Sequence, residues 1–157
     1  GMIYAPIDSS YLFSGFNVLE EIINFRLLNT SKTTSIEGMF KYCRKLTNLD
    51  LSNFDTRNVT RMGSMFYECS SLISLDLSSF DTSKVTNMDN MFYFSGLTSL
   101  DISSFDTTNV TSMETMLAYL YKINVIYVGS KWTMANVTNT TDMFIDSKVS
   151  QVTLKTS

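Results

Sequence analysis

Between residues 46 and 122 the apolar positions recur in one arrangement three times: LTNLDLSNFDTRNVTRMGSMFYEC, LISLDLSSFDTSKVTNMDNMFYFSG and LTSLDISSFDTTNVTSMETMLAYL. Aligned on the first leucine, equivalent starts fall at Leu46, Leu72, Leu97, Ile123 and Val149, at intervals of 26, 25, 26 and 26 residues. Self-similarity at this period predicts a stack of like units, each burying its apolar face against its neighbours. Within a unit the spacing changes halfway. Leu75-Asp76-Leu77 alternates with period two and predicts a short strand with its leucines inward. Its equivalents lie at 49–51, 100–102, 126–128 and 152–154.

In the second half, Val59, Met62, Phe66 and Cys69 fall at i, i+3, i+7 and i+10, one stripe of a short helix. Thr34 with Glu37, Thr86 with Asp89 and Thr111 with Glu114 have the spacing of capping boxes. Phe-Asp-Thr at 54–56, 80–82 and 105–107 joins the halves, the Phe plugging the turn and the Asp bonding its own backbone. Together these predict an α/β fold. It would be a right-handed leucine-rich-repeat solenoid, with a short parallel strand ladder on one face and short helices on the other. A parallel β-helix is the competing stack, and the capping boxes and helical stripe favour the leucine-rich type. The domain is single, over 2–157. A partial repeat (2–15) precedes repeats at about 16–45, 46–71, 72–96, 97–122 and 123–148, and a final strand lies within 149–157.

The signature LxxLDLSxFDTxxVTxMxxMFxxC, written at 46–69, resembles the BspA-like leucine-rich-repeat surface proteins, in particular the subgroup with repeats of about 25 residues. The resemblance is specific in three consecutive units and weaker in those that flank them. It implies an extracellular, bacterial cell-surface location and a role in adhesion or host interaction. It supplies no catalytic or ligand residues.

Composition narrows the chemistry. The chain has no histidine, the commonest general base and metal ligand, and no glycine-rich phosphate loop. Nothing near its many Ser and Thr would activate a nucleophile, so an enzyme is not expected, nor any cofactor or metal. A net charge of −3 with scattered signs provides no basic footprint for nucleic acid. No apolar run is long enough for membrane insertion by this segment. Gly1 before Met2 reads as an expression scar, which would remove any native signal or anchor. Cys43 and Cys69 occupy one repeat position in adjacent coils, near disulfide range at a coil spacing of about 4.8 Å. Their parallel directions favour two buried thiols over a bond.

The degenerate second coil takes its strand from Ile23-Asn24-Phe25. Met62, Met88 and Met113 form one column and Met65, Met91 and Met116 another, read as core rather than a soft-metal box. Asn58, Asn109 and Asn136 open formal glycosylation triplets but recur with the repeat, and read as turn residues. The chain ends on Val152, Thr153 and Leu154, an unpaired parallel edge. That edge is expected either to continue in a longer protein or to form an edge-strand homodimer.

Two aspartate columns, Asp50, Asp76, Asp101 on the strands and Asp55, Asp81, Asp106 in the loops, admit a calcium ladder or a set of Asx turns. The column ends at Asn24 and Tyr127, and no calcium-loop pattern is present, which favours turns. The outward ladder face (Asn24, Asp50, Asp76, Asp101 and Tyr127) is the candidate binding surface, with Tyr127 as its aromatic anchor. On the opposite side, Tyr42, Tyr67, Tyr93 and Tyr119 form a rough column on the expected helices, either a second binding surface or a half-buried covering. The expected function is a non-catalytic adhesion or binding module recognising a host or neighbouring-cell protein or glycan. The alternative is a structural spacer with no ligand of its own.

Overall fold

The computed structural model describes residues 1–156; Ser157, the end of the expected last strand, lies outside the described residues. Five short strands form: β1 (Ile3–Tyr4), β2 (Leu28–Asn29), β3 (Ser99–Ile102), β4 (Val125–Val128) and β5 (Gln151–Leu154). All pair in parallel, β1 with β2 in one sheet and β3-β4-β5 in the other. The register aligns Leu100, Ile126 and Val152, and likewise Asp101, Tyr127 and Thr153, as the repeat alignment requires. Expected strands at 49–51 and 75–77 remain extended loop. The β-branched residues Ile102, Val125, Ile126, Val128 and Val152 gather in the last three coils, where strand pairing is most favoured.

The helices do not form. Apart from one turn of 3₁₀ helix at Phe25–Leu27, the chain contains no helix among the described residues, so the α/β leucine-rich-repeat solenoid is overturned. That single turn sits where Ile23-Asn24-Phe25 had been expected as a strand. Asn24 adopts the left-handed conformation (φ 57°) that Asn tolerates and a strand cannot use.

In place of each helix runs a chain of β-turns, and the reason lies in where its amides go. Met91, Tyr93 and Ser95 donate three residues back, to the carbonyls of Met88, Asn90 and Phe92 at 3.3, 3.1 and 3.1 Å. The alternate amides, of Asn90, Phe92 and Phe94, leave the coil and bond the carbonyls of Glu114, Met116 and Ala118 at 2.8, 3.0 and 3.1 Å. Asn90 and Phe94 have positive φ (57° and 50°), and Ser64 with Glu68 and Thr115 with Tyr119 repeat the device. A helix would spend every amide internally; a run of turns with left-handed residues aims every second amide along the stack. Isolated parallel bridges complete this face, through Asp8, Ser35, Arg61, Asn87, Ser112 and Asn139.

The supposed caps also act between coils. The amides of Thr60, Thr86, Thr111 and Thr138 donate to the carbonyls of Thr34, Thr60, Thr86 and Thr111, and each hydroxyl donates to the same acceptor at 3.1–3.4 Å. The threonine of Phe-Asp-Thr does more. Thr56 Oγ1 donates to the Asp81 carbonyl at 2.9 Å and accepts from the Asp81 amide at 2.8 Å. Thr82 repeats this with Asp106, Thr30 with Asp55 and Thr107 with Thr133. These buried hydroxyls replace a missing backbone bridge, satisfying a donor and an acceptor of the coil beyond.

The interior holds the residues the repeat places there. Phe13, Phe40, Phe66 and Phe92 stack at centroid spacings of 5.6, 5.9 and 5.8 Å, and Phe54, Phe80 and Phe105 form a second stack at 6.2 and 6.5 Å. All six columnar methionines are fully buried, as a core reading requires. Coils approach closely at Gly96, where an added Cβ would collide with the Ser70 carbonyl oxygen. Cys43 and Cys69 are free, buried thiols donating to the carbonyls of Phe13 and Phe40 at 3.1 and 3.2 Å. Burial pushes the Cys43 thiol up to about 11, and raises Cys69 as well.

Ser95 continues this column one coil on, beyond Cys69. Its hydroxyl is the one buried side-chain N or O atom without a hydrogen-bond partner among the described residues. Ser95→Cys is therefore expected to stabilise the fold by about 1 kcal/mol, because a thiol loses less on burial than an unpaired hydroxyl. Urea unfolding followed by tyrosine fluorescence would show the midpoint rise; a lower midpoint would contradict the assignment.

Candidate functional site

Each aspartate of the expected ladder face is held by its own loop. Asp50, Asp76 and Asp101 accept the amides of Ser52, Ser78 and Ser103, each at 3.0 Å. The loop column behaves alike. Asp55, Asp81 and Asp106 accept the amides of Arg57, Ser83 and Thr108 at 3.2, 3.0 and 3.1 Å. Both columns are thus Asx turns. No group of three or more Asp, Glu or Cys able to hold a metal ion is gathered among the described residues.

Hydrogen bonds from the side chain and then the amide two residues on hold Asp50, Asp76, Asp81 and Asp106 below the ordinary carboxylate range. Burial pulls Asp101 upward, but bonds from Lys155 and Ser103 outweigh it, so its value is also lowered. Such groups bind protons less readily folded than unfolded. Their contribution is complete above the unfolded value of about 3.9 and is lost as pH falls through the folded values below it. Urea midpoints should therefore be flat from pH 7 to about pH 5 and fall below about pH 4, modestly because these carboxylates are solvent-screened. A midpoint that rises on acidification below pH 4 would contradict the Asx-turn bonding.

The five expected binding residues do not share one surface equally. Asp101 and Tyr127 are opposite one another in β3 and β4, whereas Asn24 lies at the start of the 3₁₀ turn and belongs to no strand. Tyr127 is not a bare anchor. Lys155 lies over its ring, 4.6 Å from the centroid, and bonds the Asp101 carboxylate. Repeat alignment had no means of placing Lys155 there, since it is 54 residues from Asp101 and follows the last strand. Val152, Thr153 and Leu154 lie in β5, where Val152 and Leu154 are exposed.

The tyrosine column is more finely divided than its spacing implied. The inter-coil bonds of Tyr42 to Tyr67, Glu68 to Tyr93 and Phe94 to Ala118 put Tyr67 and Tyr93 in one column. Tyr42, Phe94 and Tyr119 stand one residue further on. Tyr67 and Tyr93 stack face to face at 4.5 Å and 2°, while Tyr42 and Tyr119 meet them edge-on at 5.4 and 5.0 Å. Burial, then the neighbouring Tyr93, pushes the Tyr67 phenol up to about 12. The sequence reading passed over Phe94 and Tyr121, which pack edge-on at 5.7 Å and are 40% and 49% exposed. Only Tyr67 and Tyr93 stand in the repeated Met-Phe-Tyr run, and Tyr121, two residues past Tyr119, is placed by the stack rather than by the repeat.

The described residues include no helix long and apolar enough to cross a membrane. No curated protein and no solved structure matches the chain. One family does match, over residues 7–128 and again over 34–156, in two overlapping spans offset by about one coil. The chain belongs to the family described as "Mycoplasma protein of unknown function, DUF285".

Proposed function

We propose that this domain is a non-catalytic binding module of a BspA-like bacterial surface protein, recognising a host or neighbouring-cell protein or glycan. The observation that carries the reading is the columnar surface. Parallel bridges repeat from Asp8 to Asn139 and hold successive coils in one register, so equivalent side chains stand in rows on each face. Rows of this kind suit extended recognition better than chemistry at a point. The family assignment and the BspA-like signature at 46–69 support the surface location.

Saturable binding of the fluorescently labelled domain to cultured epithelial cells and to a glycan array tests it. A binder of the expected kind loses affinity on Asp76→Asn combined with Tyr127→Ala, with its thermal midpoint unchanged. Binding no stronger than that of the heat-unfolded protein would instead make the domain a spacer.

A further inference from the structure

The aromatic strip described above lies well inside the stack, so its exposure does not depend on either end. Tyr42, Tyr67, Tyr93, Phe94, Tyr119 and Tyr121 cross four successive coils in unbroken contact. Tyrosine, phenylalanine and arginine are the residues that concentrate binding energy at protein interfaces. Their geometry also selects among ligands. Tyr67 and Tyr93 cover one face of each other, and Lys41 and Tyr119 pack against the pair, which leaves little open ring face for a sugar to stack on. Phe94 and Tyr121, which pack edge-on, are the most exposed rings of the strip.

Charge adds a direction. At one end Lys41 Nζ stands 4.4 Å from the Tyr67 centroid and 5.2 Å from that of Tyr42, and Arg44 lies 5.3 Å from Tyr42. Lys45, next to Arg44 in the sequence, is exposed, and Arg44 is paired with Glu68. At the other end the charges of Asp142 and Asp146 reach Tyr119. The cationic end is therefore the Lys41 end, and the open apolar surface lies with Phe94 and Tyr121.

We propose that this strip is a docking surface for an acidic polypeptide segment carrying an apolar side chain. Its carboxylates meet Lys41, Arg44 and Lys45, and the apolar group seats between Phe94 and Tyr121. The inference rests on the binding-module reading and adds to it a second surface with its own partner class.

Fluorescence anisotropy with a labelled twelve-residue peptide of glutamates around a central Phe-Leu pair tests it. The expected result is saturable binding that weakens as salt rises and falls about tenfold in Lys41→Ala and again in Tyr121→Ala, with unchanged melting. Lys32→Ala, which removes an exposed positive charge away from the strip, should bind as wild type. No binding, binding unaffected by Tyr121→Ala, or binding only to heparin oligosaccharide or to phosphatidylserine vesicles would overturn the proposal. If the domain still binds epithelial cells while the peptide fails, the general reading stands and this surface assignment falls.

Discussion

Phe66→Ala is expected to destabilise the protein by about 3–5 kcal/mol, a large part of the stability a domain of this size has. Phe66 is fully buried, with Phe40 stacked on one side at 5.9 Å and Phe92 on the other at 5.8 Å. Truncation would empty a space bounded by three coils at once. In a stack each coil touches only its neighbours, so damage in the middle uncouples both halves. Phe13, in the same column, is only partly buried, and Phe13→Ala should cost visibly less. Urea unfolding of the two variants gives the comparison, and equal losses would mean that the phenylalanines do not act as one column.

Thr82→Val should cost on the order of 3 kcal/mol, although it keeps shape and volume nearly constant. The hydroxyl of Thr82 donates to the Asp106 carbonyl at 2.9 Å and accepts from the Asp106 amide at 2.8 Å. Valine leaves both backbone groups without a partner where water has little access. Each unmet group costs about 1–3 kcal/mol, whereas a well-paired bond contributes only about 1. Thr82→Ser keeps the hydroxyl and should retain most of the stability. Should the valine variant prove as stable as wild type and the serine variant less so, the residue would be acting through its methyl group, and the bridging role would be wrong.

The period and the columns were legible because stacking is the only way such a repeat can bury its leucines. Leu100, Ile126 and Val152 align in the structure as they do in the sequence. The helix was misread for a definite reason. Apolar residues three and four apart mark a helical stripe, but successive β-turns bring the same positions inward, and Val59, Met62, Phe66 and Cys69 are indeed all buried. Contrary signals were present. The segment around Gly63 and Ser64 is poor in helix formers, and Gly38, Ser64 and Asn90 occupy one left-handed position that Gly and Asn favour. The threonines went unrecognised because their partners lie 24–26 residues away, in the next coil. At the surface the Asx turns could be read from Asp followed two residues later by Ser, Thr or Arg. The Lys155 side chain over Tyr127, and the edge packing of Phe94 with Tyr121, depend on neighbouring coils and carry no local mark.

Whether the turn segments bond between coils or within them is open to one direct reading, the scalar coupling across the hydrogen bond of the Phe66 amide in labelled protein. The stack predicts coupling from Phe66 nitrogen to the carbonyl carbon of Met91, whose oxygen lies 2.9 Å away. Coupling to the carbonyl of Met62 would restore the helix and contradict the fold described above.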